Sequence, residues 1–137
     1  MTTEEVKTWL RSYRYLKSEA ERLEEELAEW RSKAEKMTRE LSGMPSGSGG
    51  WDKVPACVEK IWELERKLEE QLKEVIGRRN EIEKAITSVP NETFQLLLRL
   101  KYIDGDTWEK IAVKMNYNYR WVLYLHGRAL QAISNTA

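Results

Sequence analysis

One cysteine, Cys57, stands in the 137-residue chain, so an intramolecular disulfide is excluded and the thiol fits a reducing compartment. There is one histidine, His126, about seventy positions further on. With no second His and no Cys near it, a zinc site is not expected. Cys57 reads as a small core or surface thiol near a helix start, and His126 as a helical residue that packs or bonds a carbonyl. No nucleophile–base pair, metal cluster or paired acid in a cleft-forming context is present, so we expect no catalytic residues, no metal and no cofactor. No apolar run approaches the roughly 18 residues that a membrane helix needs, and the opening MTTEEVKTWL is too polar and acidic for a secretory signal. A cytoplasmic protein without a membrane partner is the expectation. Net charge is also missing, with 23 basic and 23 acidic residues. The distribution is uneven, however. From Lys110 to the C-terminus there are four basic residues, Lys110, Lys114, Arg120 and Arg128, and no acidic one.

What is present is helical periodicity. Val6, Trp9, Tyr13, Leu16, Ala20, Leu23, Leu27, Trp30, Ala34, Met37 and Leu41 recur at alternating spacings of three and four, which predicts one helix over Glu4–Leu41 with a heptad seam. A helix of about 38 residues is about 57 Å long and is not stable alone in water, so the seam requires a partner. Ser42–Gly50, SGMPSGSGG, reads as a flexible loop. It lacks the Gly-Lys-Ser/Thr ending and preceding strand of a phosphate-binding loop. Ala56–Thr87 repeats the seam with Val58, Ile61, Leu68, Leu72, Val75, Ile82 and Ile86. Glu65 and Arg79 take the missing seam places, and Trp62, Leu64 and Ile76 widen the stripe. Two long helices around a short loop predict an antiparallel hairpin. Leu10, Tyr15 and Trp62, off the seam, predict a homodimer of hairpins. Pro90 turns the chain, which sets expected domains of 1–89 and 90–137.

Beyond Pro90 the pattern shortens. Phe94, Leu97, Leu98, Leu100 and Ile103 predict a helix over Thr93–Ile103, stopped by Asp104-Gly105. Asp106 or Thr107 can cap a second helix, Trp108–Met115, whose Trp108, Ile111, Ala112 and Met115 share one face. Asn116-Tyr117-Asn118 forms a turn, with Asn116 suited to the left-handed conformation and Asn118 to a cap. The third helix, Tyr119–Ile133, turns Val122, Leu125, Ala129, Leu130 and Ile133 inward. The fold class is therefore all-α, a long antiparallel helical hairpin (coiled coil) followed by a three-helix helix-turn-helix domain. Gly127 within the third helix costs about 1 kcal/mol against Ala, which close approach by a neighbouring helix or a phosphate would explain. Trp108 and Trp121 are expected in or at the edge of the core.

Tyr102-Ile103-Asp104-Gly105, Thr107 through Ala112, Asn118 through Val122 and Gly127-Arg128-Ala129-Leu130 resemble region four of bacterial sigma factors. The wording TWEKIA, NYNYRWV and LHGRAL is closer to the sigma-region-four-like phage proteins of the ArpU/RinA type of late transcription regulator. This resemblance covers about the last third of the chain. It implies a DNA-binding transcription regulator acting in a bacterial host cell, with double-stranded DNA and bacterial RNA polymerase as partners. Base contacts carry over to Asn118, Tyr119, Arg120, Leu123 and Tyr124, although the sigma pattern is more polar there. Lys101, Lys110, Lys114 and Arg128 are candidate phosphate contacts. Two other functions fit the same pattern: a DNA-packaging component of small-terminase kind, and a polymerase-binding adaptor that docks through Leu123 and Tyr124 without DNA affinity.

Overall fold

The computed structural model describes residues 1–43 and 53–136, and every regular element among them is helical. The expected loop lies, from residue 44 onward, outside the described residues. Helix α1 spans Thr3–Ser42 and α2 spans Val54–Thr87. Thr2 Oγ1 caps α1 by accepting from the Glu5 N–H at 3.2 Å. In α2, Pro55 stands in the first turn, where its missing N–H removes no helical bond. Helices α3 (Glu92–Leu98), α4 (Trp108–Met115) and α5 (Tyr119–Thr136) follow.

The described residues form two compact units. One comprises Ser18–Lys73, and the other Met1–Lys17 with Glu74–Ala137. The expected boundary at Pro90 falls inside the second of these, which we call the terminal unit; the first we call the hairpin unit.

In the hairpin unit the two long helices run antiparallel. The Cys57 thiol donates to the Trp30 carbonyl at 3.9 Å, and Arg31 pairs with Glu65 at 3.0 Å. Ala20, Leu27, Leu41, Cys57 and Leu64 are buried. Every seam position expected on α1 is buried or half-buried. On α2 the expected apolar seam positions, Val58, Ile61, Leu68, Leu72, Val75, Ile82 and Ile86, are likewise buried or half-buried, but at the two polar places the preceding residue turns inward instead. Leu64 is 1% exposed while Glu65 is exposed, and Arg78 is half-buried while Arg79 is exposed. Cys57, Leu64, Gln71 and Arg78, at strict seven-residue spacing, therefore face inward. The Arg78 guanidinium donates to the Ser12 hydroxyl, so the polar seam residue is Arg78, and Glu65 and Arg79 belong to the solvated flank.

The terminal unit holds the larger core. Val6 and Leu10 of α1, Ile82 and Ile86 of α2, Val89, Leu97, Leu98, Ile111, Val122 and Ile133 are each 1% exposed or less. Burying such a side chain stabilises by about 1.5–3 kcal/mol. Leu10, expected to await a second copy, is thus covered within the chain, whereas Tyr15 and Trp62 remain exposed. The join after α2 is crosslinked. Gln95 Nε2 donates to the Val89 carbonyl at 2.6 Å, and Arg99 reaches Glu83 at 3.2 Å and the Thr87 hydroxyl at 3.1 Å.

The expected helix over Thr93–Ile103 divides. α3 ends at Leu98, and Arg99–Ile103 continues as a π-helical turn in which the Asp104 N–H bonds the Arg99 carbonyl at 2.9 Å. The wider turn delivers Tyr102 and Ile103 together to the interior. Gly105 then takes φ +74°, and Arg14 of α1 lies over it, donating to the Ile103 carbonyl at 3.3 Å.

Candidate nucleic-acid interface

Helices α4 and α5 are set by their ends. Asn91 Oδ1 caps α3 by accepting from the Thr93 and Phe94 N–H groups at 2.9 and 3.1 Å. Thr107 Oγ1 caps α4 at the Lys110 N–H, 3.2 Å away. Asn116 ends α4 with φ 57° and ψ 44°, the left-handed conformation. Asn118 Oδ1 caps α5 at the Trp121 N–H, 2.8 Å away. Each such cap contributes about 1 kcal/mol. Phe94, Leu97, Leu100, Ile111, Ala112, Val122 and Leu125 then pack into one cluster with Trp108 and Met115. This fixes the pitch of α5, with Val122, Leu125, His126, Ala129, Leu130 and Ile133 inward.

A second device holds α5 from inside. His126 Nε2 and the Tyr102 hydroxyl share a 2.5 Å hydrogen bond, and the Trp108 ring packs 4.5 Å from the imidazole. Burial, reinforced by Lys7, Lys101 and Arg11, pushes the imidazole down to about 4. Burial raises the Tyr102 phenol to about 12. Near neutrality the pair is therefore uncharged, which suits its interior position.

The outer face of α5 carries Tyr119, Arg120, Leu123 and Tyr124, all exposed, beside the exposed cap Asn118. The five expected base-reading residues thus share one surface. The Arg120 side chain makes no hydrogen bond or ion pair among the described residues. The expected phosphate contacts are divided. Lys110 and Arg128 are exposed, and Arg128 donates to the Tyr124 hydroxyl at 3.0 Å. Lys114 is bound to Asp106 at 2.6 Å, and this hydrogen bond holds the carboxyl below, and the ammonium above, the ordinary range. Lys101 is half-buried, with its ammonium 4.5 Å from the centre of the Trp108 ring. Burial, with Arg11 nearby, lowers its pKa.

Trp121 lies elsewhere than expected. It is 45% exposed and stacks on Tyr124 with ring centres 5.2 Å apart. Its spacing of three from Tyr124 was the available signal that the two share a face. Gly127 is likewise outward, and a Cβ there would meet nothing within 4 Å. A neighbouring helix does not explain it. Gly127 lines a cleft of about 490 Å³ that the start of α1, namely Thr3, Glu4 and Lys7, lines as well.

A family model described as "Protein of unknown function (DUF1492)" matches residues 49–133, more than half of the chain. The chain belongs to this family. The DUF1492 match runs from before α2 to Ile133, near the end of α5, so the second long helix and the short helices after it fall within one family unit. Comparison with curated proteins and with solved structures yields no match.

Proposed function

We propose that this DUF1492 chain is a sequence-specific DNA-binding transcription regulator, phage- or prophage-encoded, that reads duplex DNA with α5. The observation that carries this is the outer face of α5. It is capped at Asn118, has no acidic residue of its own and presents an unpaired guanidinium at Arg120. A helix of this kind fits the major groove, where an Arg can bond both acceptors of a guanine. Tyr119, Leu123 and Tyr124 offer apolar surface to thymine methyl groups. In this reading the protein performs no catalysis and requires no cofactor. Selection of a preferred duplex from a random pool tests it. Arg120→Ala should then lose roughly 1–3 kcal/mol of preference for that site over a scrambled one while keeping its helical circular dichroism. An unchanged preference would remove Arg120 from the reading set.

A second reading is supported by the apolar content of the same region. Leu123 and the stacked Trp121–Tyr124 pair are exposed, and so are Leu96, Val113 and Tyr117. Such a surface suits a protein partner such as RNA polymerase. Tight binding to polymerase by a protein that ignores duplex DNA at low salt would favour this adaptor role. Self-association is proposed through the hairpin, where Trp62 is 66% exposed. A dimeric sedimentation mass would support it, and a ring of many copies would favour a packaging role.

A further inference from the structure

The start of α1 is more than a hundred residues from α5 in sequence, yet it forms one wall of the cleft that runs beside Gly127. Lys7 lines that cleft together with Leu123, Tyr124, Gly127 and Arg128. The Lys7 side chain has no ion-pair or hydrogen-bond partner among the described residues, and the same is true of Arg11 one turn further along α1. Lys7 and Arg11 both help to lower the His126 pKa, so both charges lie near α5. The sole carboxylate in the cleft lining is Glu4. Gly127 in the lining carries no side chain, and the space where a Cβ would stand is open, which leaves room for a group to approach the helix backbone closely.

We propose that α1 is part of the DNA interface: Lys7 of α1 and Arg128 of α5, which both line this cleft, hold a backbone phosphate of the duplex over Gly127 while the outer face of α5 lies in the adjoining major groove. The inference rests on the DNA-binding reading and deepens it by adding a contact from outside the helix-turn-helix. Duplex DNA is the occupant that fits, because the cleft flanks a helix placed to enter a major groove. The major groove of duplex RNA is too deep and narrow for that helix. Phosphate contacts of this sort fix the register of the reading helix and carry no sequence information.

The test uses the full chain and a mixed-sequence duplex, with affinity measured by fluorescence anisotropy across a salt series. Lys7→Gln and Arg128→Gln should each weaken binding several-fold at low salt. Each should also reduce the slope of log affinity against log salt by about 0.9, the value for one phosphate contact. Lys7→Arg should restore both quantities, which separates loss of charge from loss of fold. Glu4→Gln should tighten binding. Preference among sequences should stay that of the unmodified protein in all four variants. If the unmodified protein binds DNA and Lys7→Gln leaves affinity and slope unchanged, the α1 contact is overturned and the α5 reading stands. If the unmodified protein does not bind duplex DNA at low salt, both are overturned together.

Discussion

The two units of this chain carry opposite charge from equal totals. The terminal unit has thirteen basic and nine acidic residues, and the hairpin unit ten basic and fourteen acidic, so the chain's zero is a +4 beside a −4. Both units pair some of their cations, among them Arg78, Arg99 and Lys114 in the terminal unit. In the hairpin unit Arg22, Arg31, Arg39, Lys67 and Lys73 all sit on carboxylates. In the terminal unit Lys7, Arg11 and Arg120 have no ion-pair partner among the described residues. Surface ion pairs contribute little stability, but they do remove charge from long-range fields. The hairpin unit therefore carries net negative charge, and the terminal unit net positive charge with several cations left open to polyanions. A total charge of zero conceals this, because attraction to phosphate depends on where unpaired cations lie.

The largest expected effect comes from removing the scaffold under the α5 surface alone. Ile111→Ala, in the cluster beneath α5, should destabilise the protein by about 2–5 kcal/mol in urea unfolding and abolish the ordered α5 surface. Next in size is an acid sensitivity confined to the terminal unit. The imidazole of His126 falls from its ordinary 6.5 to about 4 on folding. Below pH 6.5 the unfolded chain takes up a proton that the folded chain refuses. Stability is thus complete above 6.5 and declines as pH falls toward 4, by on the order of 2 kcal/mol. Melting temperature against pH should show that decline, and His126→Gln should flatten it.

A smaller effect is expected at the turn before α4. Gly105→Ala must hold φ +74° under the Arg14 guanidinium and should cost about 1–2 kcal/mol, measured as a lowered urea midpoint. The smallest lies in the hairpin unit. Arg31→Ala removes an exposed pair with Glu65 and should change stability by no more than about 1 kcal/mol. A larger loss would mean that the hairpin's ion pairs are structural and not merely compensating.

What could be read from the chain was what local spacing decides. The helix Trp108–Met115, its left-handed stop at Asn116, the cap at Asn118 and the inward stripe of α5 all depend on neighbours within a turn or two. Spacing does not decide the two polar seam places of α2, because Cys57, Val58, Ile61, Leu64, Leu68 and Leu72 form a stripe wide enough for two adjacent heptad registers. Only the partner helix chooses between Leu64 and Glu65. The burial of Leu10 depends on contacts far away in sequence, and so does the placing of Lys7 and Arg128 in the lining of one cleft. Trp121 was legible in principle from its spacing to Tyr124, but an aromatic at a stripe edge fits a core as well as a surface.

The most direct measurement is a titration of the full chain into fluorescent mixed-sequence duplex DNA, repeated from about 50 mM to about 200 mM salt, the range over which phosphate contacts weaken most visibly. An affinity that falls steeply and linearly on logarithmic axes is the expected result, and it would place the unpaired cations of the terminal unit on phosphates. No binding at about 50 mM salt, where the attraction is strongest, would contradict a nucleic-acid role for this surface and leave its exposed aromatic residues to a protein partner.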